Sequence, residues 1–200
     1  MRTYTHMVPT ETDDVYDWFP ELHDISDEHL RRETADALFN APDYFWTAPA
    51  SSRHHPEDHR SRHGLPLHVK RAVSVFERLA PSMTNQGHMT DENVDEARSA
   101  LLLHDVLKYG DPPTDTGSGT SGKHDVLARD WLKDTTDLPK SVTNAVASHN
   151  GPWYAGPPPT THTGQMVHIS DMVASCSYVD IGVKSPNEVL QNRFPALMQR

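Results

Sequence analysis

A single cysteine, Cys176, rules out an internal disulfide, so the fold must be held by packing or by a ligand, as befits a reducing cytoplasm. Long apolar runs are missing too. Nothing approaches the roughly 18 continuous apolar residues of a membrane span, and no membrane association is expected. The opening MRTYTHMVPTETDD lacks the apolar stretch of a secretory leader, so none is expected. No window alternates as a half-buried strand would, and no internal repeat is found. Lysine is scarce at 6, and basic residues total 18 against 28 acidic ones. Without Lys/Arg clusters a stable complex with long nucleic acid is not expected, because such binding rests on phosphate neutralisation and weakens steeply with salt. Small anionic substrates stay open.

What is present bounds the rest. Two hundred residues suit one domain with a sizeable core, and 36% apolar residues suffice to fold one. The net charge of −10 comes from 19 Asp against 9 Glu and 12 Arg against 6 Lys. That balance resembles salt-adapted haloarchaeal proteins.

Periodicity predicts helices. Residues 26–40 have Ser26 as N-cap and Leu30, Ala37 and Leu38 near helical spacing. Residues 66–80 place Pro66 in a first turn ahead of Val69, Ala72, Val73, Phe76 and Leu79. A helix over 90–109 starts at Thr90, and others are expected at 123–133, 139–149, 164–179 and 186–199. The loops 110–122 (GDPPTDTGSGTSG) and 151–160 (GPWYAGPPPT) separate them and follow segments ending in candidate ligands. The first 25 residues read as an extended arm packed by Trp18 and Phe19. The expected architecture is all-α: one compact helical bundle over 45–182, with residues 1–44 as an arm and helix against it and 183–200 as a C-terminal helix.

Fourteen histidines are present, and position decides among them. Five stretches put a metal-competent side chain beside an apolar helix face: GLPLHVKRAV (His68), LLLHDVLKYG (His104, Asp105), GKHDVLARDWL (His124), AVASHNGPW (His149) and VHISDMVAS (Asp171). A His-Asp pair behind three leucines needs a partner that offsets its desolvation, and a divalent cation is one such partner. Imidazole and carboxylate together suit Mn, Fe, Co, Ni or Zn, with Mg possible, whereas an all-oxygen set would point to Mg or Ca. Lys108, three residues past Asp105, can reach an anion held there.

The order His, His-Asp, His, His, Asp resembles the HD-domain metal-dependent phosphohydrolases. APASSRHHPEDHRSRHGLPLHVKRAV, and SHNGPW followed by VHISDMVAS, are similar to the YhaM-like 3'-to-5' exoribonucleases of that group. The resemblance covers roughly 45–180. It implies that His68, His104, Asp105 and Asp171 hold one divalent ion. His124 and His149 match the positions that hold a second, with Asp105 bridging, although Asn150 stands where two-metal members often have another histidine. One or two ions are therefore implied. His55 of the RHHP stretch would supply a ligand or touch substrate, with His54 less favoured. Asn150 lies beside the substrate region, Trp153 and Tyr154 are candidates for stacking on a base, and Lys123 and Arg53 are weaker phosphate binders. The expected reaction is hydrolysis of a phosphate ester of a nucleotide or short oligonucleotide in the cytoplasm, with Asp105 and Lys108 as catalytic groups. The alternatives are a 3'-to-5' exonuclease on single strands and a non-catalytic nucleotide-sensing module. The sequence leaves oligomeric state open, a homo-oligomer included.

Overall fold

The computed structural model describes residues 8–50, 55–113 and 120–179. Among the described residues eight α-helices follow one another: α1 (Thr12–Trp18), α2 (Glu28–Phe39), α3 (Asp43–Thr47), α4 (Gly64–Asn85), α5 (Asp91–Leu103), α6 (His124–Thr135), α7 (Lys140–Ser148) and α8 (His162–Ser175). Short 3₁₀ turns occupy Pro20–Asp24, Glu57–Arg60 and Gly151–Trp153. Among the described residues there is no strand, and no helix is long and apolar enough to cross a membrane. The all-α expectation holds.

Helix α5 is the axis of the bundle, packed against α2, α4, α7 and α8. Every residue from Asp95 to Leu103 is buried, which explains its all-round apolar run: a helix with no solvent face needs no polar stripe. A Thr90–Asn93 capping box starts it, with reciprocal backbone-to-side-chain bonds of 3.2 Å. Its buried polar residues are paired. Arg98 donates to Glu77 (2.7 Å), Asp95 (2.9 Å) and the Asp24 carbonyl (2.6 Å), and the Thr34 and Ser99 hydroxyls join α2 to α5 at 2.7 Å. Around this axis Phe19, Phe45, Trp46, Phe76 and Leu132 close the core.

Several local expectations are corrected. The described part of the expected extended arm, residues 8–25, instead forms α1 and a 3₁₀ turn, with Trp18 and Phe19 buried as expected. Asp14 makes the helix start, since its carboxylate accepts from the Thr10 amide (2.8 Å) and the Glu11 amide (3.3 Å). The cap of α2 is Asp27, which accepts from Leu30 N at 2.8 Å, because Ser26 is spent on Asp95. Helix α4 starts before Pro66 and runs past 80 through Pro81, α5 stops at Leu103 rather than 109, and α8 ends at Ser175. The expected helix over 186–199 lies outside the described residues.

Candidate metal centre

Helix ends aim the key side chains. His104 is the C-cap of α5, His149 the C-cap of α7, and His124 the first residue of α6. At the C-terminal ends of α5 and α7 the last carbonyls lack the partner one turn on, and His104 and His149 use them, while His124 uses a carbonyl of the loop before α6. The Nδ1 atoms of His104, His124 and His149 lie 2.6, 2.7 and 2.6 Å from the carbonyls of Leu101, Ser121 and Val146. A carbonyl only accepts, so each Nδ1 carries the proton and each Nε2 turns its lone pair inward. His68 comes from the first turns of α4 and Asp171 from α8, and all six side chains are buried.

They converge as two triads. His68, His104 and Asp171 form one and Asp105, His124 and His149 the other, with the potential ligand atoms of each within 4.8 Å of one another. His68 Nε2 is 3.0 Å from Asp171 Oδ1 and 3.2 Å from His104 Nε2. Asp105 divides itself between them. Its Oδ2 lies 3.6 Å from His68 Nε2 and 3.7 Å from His104 Nε2, and its Oδ1 lies 3.3 Å from His124 Nε2 and 3.6 Å from His149 Nε2.

This donor set fits a divalent cation on a specific observation. Oδ1 of Asp105 is buried without a hydrogen-bond partner, between two imidazole nitrogens whose protons are on the far side of their rings. Lone pairs so opposed repel unless a cation or a proton lies between them. Mixed N/O donors in this number suit a transition-metal ion or zinc.

Electrostatics agrees with the geometry. Burial alone would raise the Asp105 carboxyl, but Lys108 and His104 beside it hold it well below the usual carboxylate range. Asp171 likewise lies well below, because the histidines beside it outweigh burial. Burial pushes His68 and His149 down, keeping them neutral and ligand-competent. His104 is raised: burial works against it, and Asp105 and Asp171 outweigh that effect. Lys108 pairs directly with Asp105 Oδ2; although desolvation would lower it, that carboxylate raises it, and the ammonium stays charged.

The remaining candidates are distributed unevenly. Lys108 is in the turn after α5 rather than on the helix, and it touches Asp105. Asn150 Nδ2 sits 3.0 Å from His124 Nε2 and 2.8 Å from His149 Nε2, donating to both, so it belongs to the cluster. Trp153 is 72% exposed beside it, and Tyr154 meets the His124 ring edge-on at 5.1 Å. His55 is buried against His68, with ring centroids 4.6 Å apart, and does not join either triad. Lys123 is the exposed residue before α6, and Arg53 and His54 lie outside the described residues.

Sequence reasoning missed what surrounds the candidate ligands. Asp125, fully buried, accepts from Gly156 N at 2.9 Å and pins the 151–160 loop to α6. His168 reaches the His149 carbonyl at 2.7 Å, and its ring packs against Gly151, where φ is +56° and a Cβ would lie 2.9 Å from the ring. The repeated His-Asp dipeptide at 124–125 and the glycines of the loop were the available signals.

The family model described as HD domain matches residues 67–175. No curated protein and no solved structure matches the chain.

Proposed function

The chain belongs to the HD domain family, a superfamily of metal-dependent phosphohydrolases, and from that premise we propose that it hydrolyses a phosphate ester of a nucleotide or short oligonucleotide. The observation that carries the reading is the single Asp105 carboxylate shared between two triads of buried ligands. In this reading His68, His104, Asp171 and Asp105 would hold one divalent ion, and Asp105, His124 and His149 would hold a second. Mn, Fe, Co, Ni or Zn suits the donors. When bound, such ions supply Lewis-acid polarisation of a phosphoryl oxygen and lower the pKa of water at the site.

The chain's own residues do the rest. Asp105 and Asp171 stay ionised at neutral pH, so either can orient the attacking water and accept its proton. Lys108 stays protonated and offsets charge that develops on the phosphoryl oxygens, while its bond to Asp105 fixes the bridging carboxylate. Asn150 is a polar contact within reach of the same region. Trp153 and Tyr154, on a loop pinned by Asp125 and His168, offer aromatic faces to a base. The acidic surface favours small substrates over long strands. Long-range attraction is screened within about 3 Å at 1 M ionic strength, whereas contact with a bound ion is not, so activity should persist in molar salt.

The test is phosphate release from a nucleotide panel with added Mn, beside a single-stranded 20-mer, at low and molar salt. Turnover of mononucleotides at least equal to the 20-mer is expected. A clear preference for the 20-mer would replace this reading with a 3'-to-5' exonuclease, and nucleotide binding without turnover would replace it with a sensing module.

A further inference from the structure

Three of the four imidazoles in the metal centre have their Nδ1 proton anchored on a backbone carbonyl, and His68 does not. It is the fifth residue of α4, where the carbonyl three residues back, that of Leu65, sits inside the helix ladder. Its Nδ1 is buried and has no partner. Two further buried histidines lie against it. His59 has neither ring nitrogen paired, and the Nδ1 of His55 is also unpaired. The ring centroids form a triangle, with His55–His68 at 4.6 Å, His59–His68 at 6.1 Å and His55–His59 at 6.4 Å. Buried polar atoms left unsatisfied cost about 1–3 kcal/mol each, and native proteins pair nearly all of them.

The protons can be placed. Buried against another imidazole, His55 and His59 avoid the cost of an unpaired charge as neutral rings, with one donor and one acceptor each. The Ser175 hydroxyl donates to Asp171 Oδ1 at 3.3 Å, so toward His55 it can only accept, and His55 Nε2 lies 3.3 Å from it. His55 therefore carries its proton on Nε2, and its Nδ1 is a bare acceptor. His68, with Nε2 turned to a cation, carries its proton on Nδ1 and is a bare donor. The two rings meet edge to face without a direct bond. The segment bearing His55 and His59 is also fixed in place: the His59 carbonyl accepts from Ala50 N at 2.9 Å, and it presses so close to α4 that a Cβ on Gly64 would lie 1.9 Å from that oxygen.

We propose that His55 and His59 enclose an internal water that accepts the Nδ1 proton of His68 and donates to His55 Nδ1 and to His59, making this pair the positioning residues of His68. The chain Asp171–Ser175–His55–water–His68 then closes a hydrogen-bonded ring through two ligands of one triad, one from α8 and one from α4. It rests on the reading that this triad holds a cation.

The probe is zinc alone on the chelator-stripped full chain. Zinc affinity is measured by competition with a chromophoric chelator, metal-free Tm by calorimetry, and tautomers by histidine ¹⁵N spectra of the zinc-loaded protein. Wild type should show His68 protonated on Nδ1 and His55 on Nε2. His55→Phe and His59→Phe should weaken zinc about 10- to 100-fold, the range found when such outer partners are lost, with metal-free Tm unchanged or raised. His59→Gln should recover most of the affinity. Unchanged zinc affinity in both Phe variants would overturn the proposal, as would affinity and metal-free Tm falling together, which is how packing residues behave. A wild type that binds no zinc would remove the cation reading and this proposal with it, whereas zinc-binding wild type beside indifferent variants overturns the proposal alone.

Discussion

Replacing Asp105 with asparagine separates the two jobs of one carboxylate. In the metal-free protein its negative charge is the direct partner of Lys108, both residues being buried. Asp105→Asn leaves a buried ammonium uncompensated, a loss of about 3–5 kcal/mol. In a chain of this size about 1 kcal/mol moves Tm by roughly 2–4 °C, so the metal-free Tm should fall by on the order of 10 °C. In wild type, zinc at about 100 times its Kd adds about 2.7 kcal/mol per site, a rise of roughly 5–10 °C. Asp105→Asn removes a charged oxygen from both triads at once, and the zinc-induced rise should vanish. Adding Lys108→Met removes the orphaned charge, so the double variant should regain most of the metal-free Tm while still gaining nothing from zinc. The assay is scanning calorimetry of chelator-treated protein with and without zinc. A rise in Asp105→Asn as large as in wild type would refute the bridging assignment, and failure of the double variant to recover would refute the charge-pairing account.

Other perturbations test other parts. Gly156→Ala puts a Cβ 1.9 Å from the Ala147 carbonyl and 2.6 Å from Asp125 Oδ2, so a loss of about 1–3 kcal/mol and faster proteolysis within 151–160 are expected; unchanged values would mean the loop is held elsewhere. Arg98→Ala leaves the buried Asp95 without its cation and should cost about 2–4 kcal/mol in urea unfolding, and a loss below about 1 kcal/mol would count against that network. His59, pushed down to about 3, gives a pH dependence of defined sign. Below pH 6.5 the unfolded chain binds a proton that the folded one refuses, so the metal-free protein should lose about 1.4 kcal/mol per pH unit from this group as pH falls toward 5. His59→Phe should flatten the stability curve by that amount, and a curve as steep as wild type would show the group to be protonated in the fold.

The candidate ligands were legible because their chemistry is unusual where they stand: a histidine and an aspartate behind three leucines have few reasons to be buried, and each of the five stretches lies in or beside a helix. Lys108 and Asn150 were legible for the same reason. The supports were not. The acceptors for three imidazoles are main-chain carbonyls of Leu101, Ser121 and Val146, which leave no mark in side-chain type. Ser175 and His59 gain meaning only when α4, α8 and the turn between 55 and 60 come together. Helix boundaries failed where side chains were claimed from a distance, as Ser26 was by Asp95, some 69 positions along the chain. Helix α1 escaped notice because TDDVYDW shows its apolar face in only Val15 and Trp18.

The clasp between imidazoles and helix-end carbonyls joins two equilibria that are usually separate. Fraying of the last turn of α5 or α7 would withdraw the carbonyl that holds His104 or His149, and with it the orientation of a ligand. By linkage, whatever binds those rings in place also opposes the fraying. A cation at the centre of the bundle would thus act, through two capping side chains, as a latch on helix ends whose backbone it never touches, and its loss would loosen the bundle from those ends inward.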